Sequence, residues 1–157
     1  MPETETDDFS IATDRLHHGW CDHLAAYLNT IHPRVEREVR LPDGRIADIV
    51  AQSSYSDIII VELKTLWKPS YAASALEKYG HWCHWLWLAV PYLTLTEQER
   101  EAASTAWPEA SARVGFLNVN AKGAIPLRLP ARYRMTDPRF QLMHSLLRGY
   151  LPKGEAS

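Results

Sequence analysis

The sequence contains few cysteines and no long apolar run. Cys21 and Cys83 are too few for a disulfide framework in a chain of 157 residues, so buried free thiols are the preferred interpretation and a single bridge is the alternative. The longest apolar candidate, residues 82–91, includes His84 and ends at a proline, well short of the roughly 18 residues of a membrane span. The acidic start, residues 3–8, has neither the positive charge nor the apolar centre of a signal peptide. These absences make the cytoplasm the expected location.

Glycine and net charge are also low. The seven glycines form no phosphate-binding loop, and Ser53, Ser54 and Ser56 lack the G-x-S-x-G context of a serine nucleophile. A net charge of -2 argues against a protein that coats nucleic acid through charge alone. Acidic residues gather before Asn29 and basic residues after Arg113. The basic end predicts either a positive surface for a phosphate backbone or an ordinary solvated face.

The length and the apolar pattern predict a single α/β domain. With 46% hydrophobic and 23% charged residues, the chain can form one well-packed core. We expect a flexible acidic arm over residues 1–13 and one domain over residues 14–153. The order is a helix from Thr13 or Asp14 to about Leu28, three strands in a meander, a helix near residues 70–80 and a fourth strand parallel to the third. A helix over residues 96–106, a hairpin and a C-terminal helix follow, so an αβββαβ core with a mixed sheet is predicted.

Three charged residues stand inside the apolar strands of residues 44–65. If the two strands form a hairpin centred on Tyr55, Asp48 faces Glu62 across it and Lys64 lies on the same face. Two carboxylates placed in this way repel each other. Folding therefore requires a proton, a cationic side chain or a metal ion between them.

A metal ion would explain why these residue types occur together. Carboxylate oxygens from Asp48 and Glu62, with the backbone carbonyl of Leu63, are the ligands that Mg²⁺ or Mn²⁺ prefers. Lys64 supplies a point charge that can orient an attacking water and stabilise charge on a phosphate. Such a set suffices for the hydrolysis of a phosphodiester bond.

This pattern resembles the PD-(D/E)xK nuclease superfamily, which is restriction-endonuclease-like and carries an acid on one strand and E-x-K on the next. The segments GRIADIV, IIIVELKT and WLWLAVP look similar to those of small bacterial DNA-repair endonucleases in that superfamily. The resemblance covers about residues 14–91 and implies that Asp48 and Glu62 bind the metal and that Lys64 is the catalytic lysine. Glu38 matches an additional acid that many members carry before the core motif.

The resemblance implies a Mg²⁺-dependent endodeoxyribonuclease that acts on DNA in repair, recombination or defence, as a homodimer or within a larger complex. Two features depart from the pattern. Ala47 precedes Asp48 where proline is usual, and no glutamine occurs on the next helix. The literal Pro42-Asp43 pair is assigned to a Pro-Asp-Gly turn instead. The alternatives are an inactive nuclease-fold module that binds nucleic acid or a protein, and a structural salt bridge between Asp48 and Lys64.

Two further groups have both a functional and a structural interpretation. The first would contact nucleic acid and comprises Arg40, Arg45, Trp67, Lys68 and Lys78. The second could suggest zinc and comprises His17, His18, Cys21, His23, His81, Cys83 and His84. Its spacing matches no C-x-x-C or H-E-x-x-H motif, so its members are interpreted as packed or exposed side chains.

Overall fold

The computed structural model describes the backbone of residues 2–149 and the side chains of residues 15–149. Its elements, in chain order, are α1 (Pro2–Asn29), β1 (Arg34–Arg40), β2 (Ile46–Gln52), β3 (Ile58–Leu63), α2 (Tyr71–Tyr79), β4 (Trp85–Pro91), α3 (Glu97–Ala106), α4 (Pro108–Arg113), β5 (Val114–Asn120), β6 (Gly123–Arg128) and α5 (Asp137–Arg148). The predicted start of the first helix at Thr13 or Asp14 is wrong, because the helical backbone of α1 begins at Pro2. The side chains of the predicted acidic arm over residues 1–13 lie outside the described part of the chain.

The six strands form one mixed sheet in the order β1-β2-β3-β4-β5-β6. The first three are antiparallel neighbours, as are β5 and β6, while β3 pairs with β4 and β4 with β5 in parallel. The helices α2 and α3–α4 make the two crossovers that these parallel pairs require. This arrangement confirms the predicted αβββαβ core and the additional helix, hairpin and C-terminal helix.

Helices cover both faces of the sheet, and β3 is its most buried strand. All six residues of β3 are buried, which confirms the prediction of a central strand. One face packs against α1 through a cluster of Cys21, Leu24 and Leu28 with Ile49 and other strand residues. The opposite face packs against α2 and α5. The end of the β2–β3 pair is thus enclosed between α1 and α2.

The sequence predicts an apolar stripe on α1 through Leu16, Trp20, Leu24, Tyr27 and Leu28, and the structure buries Leu24 and Leu28 of this set. Leu16 is 54% exposed, whereas Cys21 and Leu24 are buried. His17 belongs to the inward side as well, because its ring reaches the backbone carbonyl of Leu63 on β3. The inward face of α1 therefore keeps the predicted Leu24 and Leu28 but continues through Cys21 to His17 in place of Leu16, a spacing that also fits the helical repeat.

The turn between β1 and β2 accounts for the literal Pro-Asp pair. Gly44 has a positive φ of 91°, a conformation that glycine adopts without strain. The Asp43 carboxylate accepts hydrogen bonds from the Arg45 backbone N–H at 3.0 Å and from the Trp82 ring N–H at 3.2 Å. Asp43 therefore stabilises the turn.

The structure agrees with two absences in the sequence. Cys21 and Cys83 are both buried and free, and burial raises the pKa of the Cys83 thiol to about 12. Within the described range, no helix has the length and apolar character needed to cross a membrane.

One short helix was not predicted. Helix α4 begins at Pro108 directly after Trp107, which ends α3 by donating its backbone N–H to Ala103. Proline at the first helical position is common because its missing N–H would have no intrahelical partner there. The two helices therefore form one crossover with a sharp bend.

Candidate metal centre

The strands β2 and β3 separate at the point where their charged residues begin. Val50 pairs with Ile60, as the predicted register requires, and the last cross-strand pair is Ile49 with Val61. Beyond it, the Asp48 carboxylate accepts a hydrogen bond from the Leu63 backbone N–H at 2.8 Å. The predicted pairings of Asp48 with Glu62 and of Ile46 with Lys64 keep this register but lie beyond the last pair of the ladder. The Asp48 side chain, not a backbone carbonyl of β2, thus accepts the hydrogen bond of the Leu63 N–H, and the backbone ladder ends here.

Glu62 is the buried carboxylate of this region. The residue is 8% exposed, and its Oε2 atom has no hydrogen-bond partner among the described residues. Burial raises the pKa of Glu62 to about 7, and the neighbouring charge of Asp48 acts in the same direction. The charge of Lys64 opposes the rise. An ionised Glu62 is thus costly unless a further cation approaches it.

Lys64 stands beside Glu62 and not beside Asp48. Its Nζ lies 3.7 Å from Glu62 Oε1 and 5.0 Å from the centre of the Tyr71 ring at the start of α2. The ammonium is about one third exposed, so it can face both the carboxylate and solvent. The alternative of a structural Asp48–Lys64 salt bridge does not match this arrangement.

The Tyr79 hydroxyl closes the α2 side of the region. It donates a hydrogen bond to the Ile46 backbone carbonyl at 3.1 Å. Burial and the nearby charge of Glu62 raise the pKa of Tyr79, so the phenol stays protonated. Tyr79 therefore fixes α2 against β2, and its hydroxyl acts to lower the pKa of Glu62.

His17 on α1 is the cation that contacts Asp48. Its Nε2 lies 3.3 Å from Asp48 Oδ2 and 2.9 Å from the Leu63 backbone carbonyl oxygen. The hydrogen bond to Asp48 is the largest cause that raises the pKa of His17 to about 10, with a further contribution from Cys21. The ring is therefore an imidazolium at neutral pH, and it bridges two of the oxygens that the sequence predicts as metal ligands.

Cys21 joins His17 one helical turn later. Its Sγ lies 3.9 Å from the His17 ring nitrogens. One ligand atom from each of His17, Cys21 and Asp48 can be chosen so that the three lie within 4.8 Å of one another. The interpretation of His17 and Cys21 as side chains that merely pack is therefore incomplete.

The second half of the predicted histidine and cysteine group has structural roles. His84 Nδ1 accepts a hydrogen bond from the Ile58 backbone N–H at 2.8 Å. The Cys83 thiol donates to the Tyr79 backbone carbonyl at 3.5 Å, and His81 contacts Tyr133. The interpretation of these residues as packed side chains agrees with these contacts.

Glu38 lies next to Asp48 across the β1–β2 pair. The flanking pairs are Arg37 with Ile49 and Val39 with Ala47, which places Glu38 opposite Asp48. Glu38 has a positive φ of 51°, and its exposed carboxylate lies 3.8 Å from His18. Adjacent histidines of α1 thus contact both acids.

The five residues predicted to contact nucleic acid are dispersed around this region. Arg45 forms an ion pair with Asp43 at 3.3 Å, and Arg40 donates to the Gly44 backbone carbonyl. Lys68 lies 5.8 Å from the centre of the Tyr71 ring, beside Lys64. Lys78 is exposed on α2, and its charge acts to lower the pKa of Glu62. Trp67 packs edge-on against Phe116, so its ring contributes to the core.

Two arginines of the basic C-terminal part support the fold. Arg113 donates to the backbone carbonyls of Gly80 and Ala131 at 2.8 and 2.9 Å. Arg132 binds the Asp57 carboxylate at 2.9 Å. These two charges serve intramolecular contacts.

The oxygen ligands of this region fit a hard divalent cation. Glu62 presents a buried carboxylate oxygen without a partner, Asp48 lies close enough to perturb it, and the Leu63 carbonyl already accepts a positively charged ring. Mg²⁺ or Mn²⁺ prefers such oxygens, and either ion favours the ionised form of Glu62. The residues that would hold it are Asp48, Glu62 and Leu63, with His17 moved aside.

The contribution of α1 was missed at the sequence level. The spacing 17, 21, 24, 28 carries a signal for it, because these positions fall on one helical face and three of them are apolar or thiol residues. His17 begins this stripe, so the stripe could have indicated that its ring lies against the sheet near Asp48 and Leu63.

Similarity to one solved structure supports the fold. No family model matches the sequence, and no curated protein is similar to it. A solved structure of a protein of unknown function from Silicibacter pomeroyi has a TM-score of 0.59 and 18% identity, covering 82% of this chain and 84% of the other. A repair endonuclease from Pyrococcus abyssi has a TM-score of 0.33 and 22% identity over 54% of this chain and 37% of its own. An EndoMS–dsDNA complex has a TM-score of 0.32 and 19% identity over 60% and 41%, respectively.

Proposed function

We propose that this protein is a metal-dependent nuclease that hydrolyses phosphodiester bonds in DNA. The observation that carries the proposal is the buried Glu62 oxygen without a hydrogen-bond partner. It lies beside a second carboxylate that raises its pKa and beside the Lys64 ammonium at 3.7 Å. Asp48 on β2, Glu62 near the end of β3 and Lys64 directly after β3 are the residues expected from the PD-(D/E)xK resemblance. Repair, recombination and defence are the proposed settings.

The chain's own residues have separate roles in this reaction. Asp48, Glu62 and the Leu63 carbonyl would hold Mg²⁺ or Mn²⁺, and a bound ion would lower the pKa of water and stabilise charge on phosphate oxygens. Lys64 orients the attacking water and places a positive charge near the phosphate. Tyr79 holds α2 in place behind Glu62. Glu38 is proposed to bind a water molecule or a second ion beside Asp48.

Positive charge near the carboxylates supports a polyanionic substrate. Lys64 and Lys68 both lie within 6 Å of the Tyr71 ring, at 5.0 and 5.8 Å. Lys78 adds a third ammonium on α2. These lysines would contact phosphates, which fix the position of DNA without reading its sequence. Arg40 and Arg45 lie at the neighbouring β1–β2 turn and would extend this contact.

The direct test is metal-dependent nicking of supercoiled plasmid DNA. We expect the wild type to nick plasmid with Mg²⁺ or Mn²⁺ and not with EDTA. Lys64→Ala should lower the rate at least about 100-fold, as the loss of one preorganised donor does in other enzymes. Lys122→Ala, in the β5–β6 turn, is the matched control and should retain the rate. Equal activity of the wild type and Lys64→Ala would contradict the mechanism.

A second candidate function is that of an inactive nuclease-fold module that binds nucleic acid or a protein partner. The observation that favours it is the position of the His17 ring between Asp48 and the Leu63 carbonyl. An imidazolium that stays there would neutralise the site without a metal ion. This candidate predicts that DNA is bound but remains uncut with every divalent metal, and that EDTA leaves binding unchanged.

A further inference from the structure

His17, Cys21 and Asp48 form a second group of ligand atoms that differs in chemistry from the oxygen site. His17 and Cys21 project from one face of α1, one helical turn apart, and Asp48 meets them from β2. Cys21 is 1% exposed, while His17 and Asp48 are partly open to solvent at 35% and 19%. The thiol therefore lies at the base of the group and the other two ligands at its rim.

The distances within the group approach those of a tetrahedral metal site. Zinc bonds of about 2.0–2.3 Å to nitrogen, oxygen and sulfur place neighbouring ligand atoms roughly 3.3–3.6 Å apart. The observed separations are 3.3 Å between His17 Nε2 and Asp48 Oδ2 and 3.9 Å between the His17 ring and Cys21 Sγ. The Cys21 Sγ and Asp48 ligand atoms lie within 4.8 Å of each other, so binding would require the His17 ring and the Cys21 and Asp48 side chains to rotate toward one ion.

We propose that His17, Cys21 and Asp48 bind one Zn²⁺ ion, with water in the fourth position. The thiolate and the imidazole select zinc over Mg²⁺ and Mn²⁺, which prefer oxygen ligands. Binding releases the thiol proton of Cys21 and one proton of the His17 ring, because both groups coordinate metal in their deprotonated forms. Three protein ligands and one open position are typical of zinc sites that exchange their fourth ligand.

Sharing of Asp48 gives the zinc site a consequence for activity, and this consequence rests on the proposed function. Asp48 is a ligand of both the oxygen site and the zinc site. Zn²⁺ bound through Cys21 therefore withdraws Asp48 from Mg²⁺ or Mn²⁺, and zinc should inhibit the nicking of plasmid. Cys21 has no role in the oxygen site, so Cys21→Ala should remain active and should lose this inhibition.

The test measures metal binding without DNA. The full-length protein, kept reduced, is titrated with Zn²⁺ against a chromophoric chelator and separately with Co²⁺ in an absorption spectrometer. We expect one Zn²⁺ per chain and a thiolate-to-cobalt charge-transfer band. Cys21→Ala should lose the band and bind zinc at least about tenfold more weakly, since even outer partners of metal ligands contribute 10- to 100-fold. Cys83→Ala removes the other buried thiol and should retain both properties.

Two results would overturn the zinc proposal. One is the absence of the charge-transfer band in the wild type at saturating Co²⁺, which needs no variant to fold. The other is equal zinc affinity in the wild type and Cys21→Ala, with both proteins folded by circular dichroism. A chain that binds zinc but cuts no plasmid refutes the nuclease function alone, whereas a zinc-free chain that cuts plasmid refutes the zinc site alone.

Discussion

Replacement of Glu62 by glutamine should stabilise the metal-free protein above neutral pH. Glu62 is 8% exposed, and its Oε2 atom has no hydrogen-bond partner in the described part of the chain. Burial is the main reason that its pKa rises from 4.5 to about 7, and the charge of Asp48 adds to it. Glutamine keeps the shape of the side chain and carries no charge. The substitution therefore removes the cost of an ionised carboxylate together with its attraction to Lys64 at 3.7 Å, and the raised pKa shows that the cost is the larger of the two.

The size of the effect follows from the two pKa values. One pKa unit corresponds to about 1.36 kcal/mol, so a rise from 4.5 to about 7 amounts to on the order of 3 kcal/mol. Because the folded value is the higher one, the cost is absent below the unfolded pKa. The cost grows as the pH rises from the unfolded to the folded pKa and reaches its full value above the folded pKa. Glutamine should have little effect at acidic pH and its full effect at alkaline pH.

Urea unfolding at about pH 5 and about pH 8 measures this difference. The free energy of unfolding of Glu62→Gln, relative to the wild type, should increase by about 2–3 kcal/mol between the two conditions. Glu77→Gln, an exposed position on α2, is the control and should show a much smaller change. Mn²⁺ at pH 8 should stabilise the wild type and not Glu62→Gln. A difference between variant and wild type that does not depend on pH would refute the reasoning.

Three other substitutions test contacts that hold the site and the sheet. His17→Asn should destabilise the protein near neutral pH, and this loss of stability should shrink toward pH 10. The folded pKa of His17 is raised from 6.5 to about 10. The imidazolium therefore contributes fully to stability below its unfolded pKa, and the contribution vanishes as the pH rises through the folded pKa. Thermal unfolding across that range measures it, and a constant difference would contradict it. Asp57→Asn should lower the free energy of unfolding by about 1–2 kcal/mol at neutral pH, because the hydrogen bonds from Arg132 and Trp85 stabilise the carboxylate and lower the pKa of Asp57. This cost should vanish as the pH falls through the folded pKa. Urea unfolding at neutral and at acidic pH measures the difference. Gly123→Ala should lower the midpoint of thermal unfolding by several degrees, since Gly123 has a φ of 142° and a Cβ there would lie 2.4 Å from the Tyr27 ring. An unchanged midpoint would contradict the structural account of this turn.

The grouping of Asp48, Glu62 and Lys64 can be predicted because it depends on local pattern. Apolar β-branched residues define the two strands, and a turn centred near Tyr55 sets the register that Val50 and Ile60 adopt. Charges inside such strands have no local explanation, so they indicate a site. The sequence does not show that the Asp48 side chain bonds to the Leu63 backbone, because that contact depends on how the strands twist apart at their end.

The role of α1 illustrates what local pattern leaves open. Two stripes on this helix satisfy the same helical repeat, one through Leu16 and one through His17 and Cys21. Packing against the sheet decides between them, and it leaves Leu16 54% exposed. The contact between His17 and Leu63 joins residues 46 positions apart, so only the assembled fold brings the imidazole to the carboxylates. The same long-range packing places Trp67 against Phe116.

The position of Mn²⁺ in crystals of the wild-type protein tests the central claim most directly. Anomalous scattering should show Mn²⁺ bound by Asp48, Glu62 and the Leu63 backbone carbonyl, with the His17 ring displaced from its place between Asp48 and Leu63. Glu62 should then coordinate through the oxygen that has no partner in the metal-free chain. A crystal grown with saturating Mn²⁺ that shows no ion at these oxygens, with His17 still 3.3 Å from Asp48, would contradict the account.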